Sequence, residues 1–101
     1  MAKDDMHVII YKLLSYLYEC MKKGSAVDVE LLNNKMFLEV EIPFSYWYKI
    51  LLELKRLEYI RGISLSNGKI VTMNKIEITF KGVEYLSSDD FIRKVAKEIN
   101  E

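Results

Sequence analysis

The first periodic segment of the chain lies between residues 5 and 23, where apolar residues recur every three or four positions. These residues are Met6, Ile9, Ile10, Leu13, Leu17, Cys20 and Met21. The spacing is typical of an amphipathic helix, and two lysines followed by Gly24 form a stop signal. On a helical wheel, Tyr11, Leu14 and Tyr18 widen the apolar surface. We therefore predict that this helix contacts the core and a second element, either the C-terminal helix or a second subunit.

A short helix and an extended turn are predicted next. Either Ser25 or Asp28 can cap a helix that ends near residue 35 or 36. Residues 38–42 then alternate between apolar and acidic side chains up to Pro43. The residue before a proline is disfavoured in helical geometry, so this stretch is predicted to be extended.

A longer helix is predicted to begin at Pro43, because the first turn of a helix tolerates the missing N–H of proline. Its apolar stripe consists of Trp47, Ile50, Leu51, Leu54 and Leu57. The opposite side and its flanks carry Ser45, Tyr46, Tyr48, Lys49, Leu52 and Arg56. A helix with one apolar stripe buries that stripe. Trp47 is therefore predicted to anchor the core, and the opposite side to be available to a partner.

The middle of the chain has the composition of a β-hairpin. Residues 59–65 are rich in β-formers, and Asn67 and Gly68 are a strong turn signal. A second strand is predicted over residues 75–79. If the turn is tight, this strand also includes residues 69–73; otherwise those residues form a long flexible tip.

Two further helices are predicted at the C-terminal end. Thr79 is placed to cap a short helix over residues 80–86, and Ser87 or Ser88 precedes a final helix. The final helix carries on one side Phe91, Ile92, Val95 and Ile99.

Charge is unevenly distributed, although the 101 residues contain 15 basic and 15 acidic side chains and have no formal net charge. A neutral chain does not coat nucleic acid by bulk electrostatics. Residues 43–82, however, hold seven basic and three acidic residues. A local basic patch inside a neutral chain favours a protein that contacts DNA at one place.

Several classes of chemistry are not expected. Cys20 and His7 are the only cysteine and histidine, so neither an internal disulfide nor a metal site is predicted. The chain has no glycine-rich phosphate loop and no recognisable nucleophile–base pair, so we predict neither an enzyme nor a cofactor. Asp4, Asp5 and Lys12 interrupt the first residues, which argues against a signal peptide or a membrane span. A cytoplasmic protein is the expectation.

The order of elements predicts an α+β, mainly α-helical fold, namely a winged helix-turn-helix with a three-helix core, a β-hairpin wing and C-terminal helices. One domain is predicted over residues 1–101, with its core at about residues 6–86 and a C-terminal amphipathic helix at about residues 88–100.

Two stretches support this fold. "LKRLEYIRGI", residues 54–63, looks like a recognition helix running into the first wing strand. "IEITFKGVEYL", residues 76–86, resembles the ending of small bacterial and phage winged helices. Together they make the chain resemble the YjcQ family, small winged-helix proteins of Gram-positive bacteria and their prophages, over about residues 6–86. The stretch from Leu38 to Phe44 departs from this pattern, because it is longer and more apolar than a tight turn.

The resemblance implies a DNA-binding fold and assigns no biochemical activity. By this resemblance, the core positions of the family's third helix correspond to Trp47, Ile50, Leu51, Leu54 and Leu57. The family's ending motif corresponds to Gly82, Tyr85 and Leu86. The function predicted is a DNA-binding protein, with a phage- or plasmid-type transcriptional regulator as its specific form.

Double-stranded DNA is the first predicted partner. The third helix would enter the major groove, and the wing would reach a neighbouring backbone or minor groove. The predicted contacts are Ser45, Tyr46, Tyr48 and Lys49 on the helix, with Arg56, Lys69 and Lys75 at phosphates. Glu53 shares this face and would repel phosphate.

The alternative is a winged helix that binds protein and not DNA. Leu52, Tyr48 and the aromatic flank of the first helix would then form the interface, where tyrosine is favoured. A homodimer through the first helix and the C-terminal helix is a related prediction.

Overall fold

The computed structural model describes residues 5–32 and 41–100 of the chain. This part is α+β and mainly helical. Its elements are α1 (Met6–Lys23), a 3-10 helix (Val29–Leu31), α2 (Phe44–Arg56), β1 (Ile60–Arg61), β2 (Ser64–Ser66), β3 (Lys69–Thr72), β4 (Glu77–Ile78), α3 (Phe80–Leu86) and α4 (Asp89–Asn100). The predicted end of the short helix near residue 35 or 36, and residues 38–40 of the predicted extended turn, lie outside the described residues.

The C-terminal end of α1 is closed by local signals, as predicted. Gly24 adopts a left-handed conformation with φ of 65°, which glycine takes without steric cost. Its N–H donates to the carbonyl of Met21 at 3.3 Å, and the N–H of Ser25 donates to that of Cys20 at 3.0 Å. Lys22 and Lys23 add positive charge to the last turn, where the helix dipole favours it.

The N-terminal end of α1 is closed by a residue from the other end of the chain. Asp5 occupies the capping position but makes no side-chain cap hydrogen bond. The Glu98 carboxylate of α4 instead accepts from the N–H of His7 at 3.0 Å and of Val8 at 3.3 Å. Its other oxygen lies 2.5 Å from Nδ1 of His7. The prediction that α1 contacts the C-terminal helix is therefore confirmed.

The 3-10 helix occupies part of the predicted short helix. Asp28 is its cap, and its side chain accepts from the N–H of Glu30 at 3.1 Å. Leu32, at its end, is buried. Of the two caps considered, Asp28 is the one that makes a side-chain hydrogen bond with this helix.

α2 begins one residue later than predicted. Pro43 lies before the first turn with φ of −58°, and its carbonyl accepts from the N–H of Tyr46 and Trp47, each at 3.1 Å. The residues of α2 in the core are Trp47, Ile50, Leu51 and Leu54. Leu57, predicted on the same stripe, is half-buried because it follows the last helical turn. Trp47 is 1% exposed, so its prediction as a core anchor is confirmed.

The hairpin has the tight turn considered above. Asn67 and Gly68 have φ of 52° and 76°, the left-handed pair of a two-residue turn. β2 and β3 pair around this turn, and β1 and β4 pair below it, with Ile60 opposite Ile78. The second strand is therefore interrupted: it runs over residues 69–72 and resumes at 77–78.

Gly62 lies between the two pairs of strands, where the hairpin backbones approach closely. Its φ is 89°, and an added Cβ would lie 1.8 Å from the carbonyl oxygen of Lys75. Only glycine fits here, because any side chain would collide with the backbone of Lys75. Gly62 thus lets the interrupted part of the second strand pack against the first strand.

α3 and α4 begin at predicted caps. The Thr79 hydroxyl accepts from the N–H of Gly82 at 2.9 Å, and the Ser88 hydroxyl accepts from the N–H of Phe91 at 3.2 Å. Phe91 and Val95 are buried, while Ile92 and Ile99, predicted on the same side, are 49% and 46% exposed. All four residues lie within an arc of about 100 degrees on the helix, so they share one side as predicted, but only Phe91 and Val95 of that side reach the core.

Candidate nucleic-acid interface

Four of the predicted contact residues lie on the exposed side of α2. These are Ser45, Tyr48, Lys49 and Arg56, all of them exposed. Their orientation follows from the opposite side of the helix, where Trp47 and Leu51 are locked in the core. Leu52 lies among the four exposed residues on this side of the helix and is half-buried. A rigid helix thus presents one hydroxyl, one phenol and two cations to its surroundings.

Tyr46 differs from these four. It is half-buried and packs against the core cluster. On the helical wheel it lies between the buried stripe and the exposed side, so it faces the N-terminal end of α1 and shares a groove there with Met6 and Ile10. Tyr46 is therefore less exposed than Tyr48, and its role as a DNA contact stays a prediction.

Arg56 forms an ion pair with Glu53 on the surface of α2. The guanidinium Nε lies 2.9 Å from Oε1 of Glu53, and Nη2 contacts the same oxygen. This hydrogen bond lowers the pKa of the Glu53 carboxyl and raises that of Arg56. Any phosphate that binds Arg56 must therefore compete with a carboxylate of the same helix. Lys49, in contrast, forms no ion pair with another side chain in residues 5–32 and 41–100.

The two predicted contacts on the hairpin are exposed but lie in different places. Lys69 follows the tight turn and pairs with Ser66, at the tip of β2 and β3. Lys75 lies in the interruption of the second strand, beside a hollow of about 590 Å³ that it shares with Cys20 and Met21 of α1.

Lys49 and Lys75 are therefore associated with opposite ends of α1. Lys49 borders a groove with Met6, and Lys75 borders a hollow with Cys20. At a rise of 1.5 Å per residue, the fourteen steps along α1 from Met6 to Cys20 span about 21 Å. Of the seven predicted residues, Lys69 and Lys75 therefore belong to the hairpin, and the other five belong to α2.

Phe44 is a surface residue that the sequence reasoning did not single out for contact. It is 57% exposed, and its ring centroid lies 5.9 Å from that of Tyr48. The signal was present in the spacing, because residues four apart on a helix lie side by side and Tyr48 was already predicted to be accessible. The N-terminal end of α2 therefore presents an aromatic pair next to Lys49.

Residues 5–32 and 41–100 contain neither a cluster of metal-binding side chains nor a membrane-spanning helix. No group of three or more His, Cys, Asp or Glu side chains in this part could hold a metal ion. None of the helices in the same part is long and apolar enough to cross a bilayer.

Fold and surface together define a small α+β domain in which one well-anchored helix exposes aromatic and basic side chains beside a β-hairpin. The family model for YjcQ, described as "YjcQ protein", matches residues 11–101. The chain therefore belongs to the YjcQ family. Neither the comparison with curated proteins nor that with solved structures found a match.

Proposed function

We propose that the protein is a winged-helix DNA-binding protein in which α2 is the recognition helix and the hairpin is the wing. The observation that carries this proposal is the division of α2 into two sides. Trp47 is 1% exposed, while its neighbours Tyr48 and Lys49 lie on the surface at the N-terminal half of the helix. Helices that read the major groove contact bases with their N-terminal residues.

The hairpin supports the same proposal. It follows α2 directly, its tight turn places Lys69 at the tip, and β1 and β4 join it to the core through Ile60 and Ile78. A cation at the tip of a rigid hairpin is suited to a phosphate contact beyond the groove that the helix occupies.

Fluorescence anisotropy of labelled genomic DNA fragments at several salt concentrations tests this proposal. We expect fragment-selective binding that weakens with salt. Lys49→Glu should weaken it strongly without changing the melting temperature, whereas Lys55→Glu, on the same helix but outside the predicted contacts, should have a small effect. Equal affinities for wild type and Lys49→Glu would remove α2 from the interface.

Trp47→Ala provides the converse test. Truncating this buried side chain leaves a cavity, and we expect a loss of about 3 to 5 kcal/mol of unfolding free energy. At a temperature where the variant is still folded, its DNA affinity should be close to that of the wild type. A folded variant that has lost DNA binding would contradict the separation of the two sides.

The second candidate is a winged helix that binds protein. It is favoured by the exposed aromatic pair of Phe44 and Tyr48 and by exposed apolar residues on α1 and α4, namely Tyr11, Ile92 and Ile99. The partner we propose in this case is a second copy of the chain. Light scattering in the same buffers decides: a mass of 11.9 kDa at high concentration would contradict the homodimer.

A further inference from the structure

A groove of about 570 Å³ lies between α2, the N-terminal end of α1 and the rings that follow α2. Its apolar and aromatic wall consists of Met6, Ile10, Tyr46, Leu57, Tyr59 and Tyr85. Three charged side chains of α2 lie along one edge, namely Lys49, Glu53 and Arg56. A mostly apolar concavity of this size, with a few polar groups at one side, has the character of a small-molecule site.

Part of the groove's wall is a pair of stacked tyrosine rings. The rings of Tyr59 and Tyr85 are stacked with centroids 4.3 Å apart, and Tyr85 also contacts the buried Phe91 at 4.5 Å. Burial raises the pKa of the Tyr85 hydroxyl, with smaller contributions from Tyr59 and Asp90. Tyr85 therefore remains neutral at pH 7 and adds no negative charge to the wall.

The edge of the groove carries a positive charge overall. Lys49 and Arg56 outnumber the single carboxylate, Glu53, and that carboxylate already accepts from Arg56. An anionic group at this edge would contact Lys49, for which no ion pair is described, while the body of the molecule lay on the tyrosine rings. A neutral molecule would form no ion pair with this edge, and a cation would be repelled by its net positive charge.

The groove also adjoins the proposed DNA-binding side of α2. Lys49 and Arg56 lie at its edge and are at the same time two of the predicted phosphate contacts. A ligand anion and a DNA phosphate would therefore compete for the same cations.

We propose that this groove binds a small organic anion with a flat apolar body, and that this ligand weakens DNA binding by occupying Lys49 and Arg56. The coupling rests on the proposed function, while the groove itself does not. Binding of the ligand and binding of DNA are reciprocal, since each reduces the affinity for the other by the same factor.

The probe for the groove is 8-anilinonaphthalene-1-sulfonate, an anion with a flat naphthalene ring system whose fluorescence rises in apolar surroundings. We expect one site per chain in the folded protein without DNA. Lys49→Gln should weaken this binding about tenfold, the effect of losing one charge-assisted contact. Lys55→Gln, which removes the same charge from the same helix outside the groove, should leave it unchanged.

A second pair of variants tests the apolar mouth of the groove. Met6 is 45% exposed, so substitutions there should not affect folding. Met6→Glu places a carboxylate at the mouth and should weaken binding of the sulfonate about tenfold, while Met6→Gln should have a smaller effect. The uncharged analogue 1-anilinonaphthalene should bind wild type and Lys49→Gln about equally.

Three results would overturn the site: no binding of the sulfonate by the folded protein, binding that Lys49→Gln and Met6→Glu both leave unchanged, or equal dependence of the charged and uncharged probes on Lys49. The coupling is measured separately, as the affinity for a DNA fragment with a red-emitting label at saturating sulfonate. We expect this affinity to fall about tenfold, and an unchanged affinity would overturn the coupling. If the wild type binds no DNA at all, the proposed function and the coupling fail together, and the titrations without DNA still decide the groove.

Discussion

The two ends of α1 are closed in different ways. At the C-terminal end, Gly24 and the adjacent lysines complete the helix with groups from its own last turn. At the N-terminal end, the first N–H groups are satisfied by Glu98, 91 positions after His7 in the chain. One end forms from local sequence, while the other requires α4 to be in place.

This difference bears on function, because each end borders a different part of the surface. The self-contained end lies beside the hairpin and Lys75, and the dependent end forms the wall of the groove with Met6 and Ile10. We infer that the groove depends on the packing of α4 against α1, whereas the hollow beside Lys75 does not.

Of the two ends of α1, the N-terminal end that depends on Glu98 should show the larger effect on stability. Glu98→Ala removes the acceptor for two backbone N–H groups and the partner of the His7 ring, and we expect a loss of about 1 to 3 kcal/mol of unfolding free energy. Chemical denaturation measures this, and binding of the aromatic sulfonate should weaken in parallel as Met6 loses its support. Glu98→Gln retains a carbonyl acceptor and should lose less. A stability of Glu98→Ala equal to that of wild type would show that the contact does not stabilise α1.

A smaller effect is expected at the self-contained end. Gly24→Ala meets no steric contact, since nothing lies within 4 Å of an added Cβ, but φ of 65° is unfavourable for alanine. We expect a loss of about 1 kcal/mol from this backbone strain. Sulfonate binding at the far end of α1 should not change. If Gly24→Ala altered the groove as much as Glu98→Ala did, the two ends would not be independent.

The smallest effect is expected for an exposed ion pair near the same end. Nζ of Lys22 lies 2.7 Å from Oε1 of Glu19, and this hydrogen bond lowers the pKa of the Glu19 carboxyl. Because the pKa of Glu19 is lowered in the folded state, the ionised carboxyl stabilises the fold at pH values above its ordinary pKa of 4.5. This contribution is lost as the pH falls below that value and through the lowered pKa. Because both groups are exposed, Glu19→Gln should change the melting temperature at pH 7 little, and any difference from wild type should disappear in acid. A large difference at pH 7 would contradict the solvent-screened character of the pair.

The predictions from sequence that the structure confirms concern neighbouring residues. Thr79 and Ser88 cap their helices through N–H groups three residues away, and Asn67 and Gly68 form their turn from their own backbone conformations. Trp47 was assigned to the core from a periodicity of less than four residues. Such patterns are visible in sequence because the interacting groups are close along the chain.

The exposure of residues at the border of an apolar stripe does not follow from the periodicity of the sequence. Tyr46 and Ile92 both lie at the edge of an apolar stripe, where burial depends on which element lies opposite. Tyr46 packs against the core cluster and is half-buried, whereas Ile92 remains about half exposed. A wheel gives the direction of each side chain but not the neighbour it meets.

The helical periodicity, the caps of α3 and α4, the hairpin turn and the buried side of α2 can be predicted from the sequence alone, because they depend on interactions within about one helical turn or one tight turn. The packing of distant elements, in contrast, brings Glu98 to the N-terminal end of α1, places Tyr46 in a groove, and sets Lys49 and Lys75 toward opposite ends of α1. These features join residues far apart in the chain, and their geometry arises when the helices pack together.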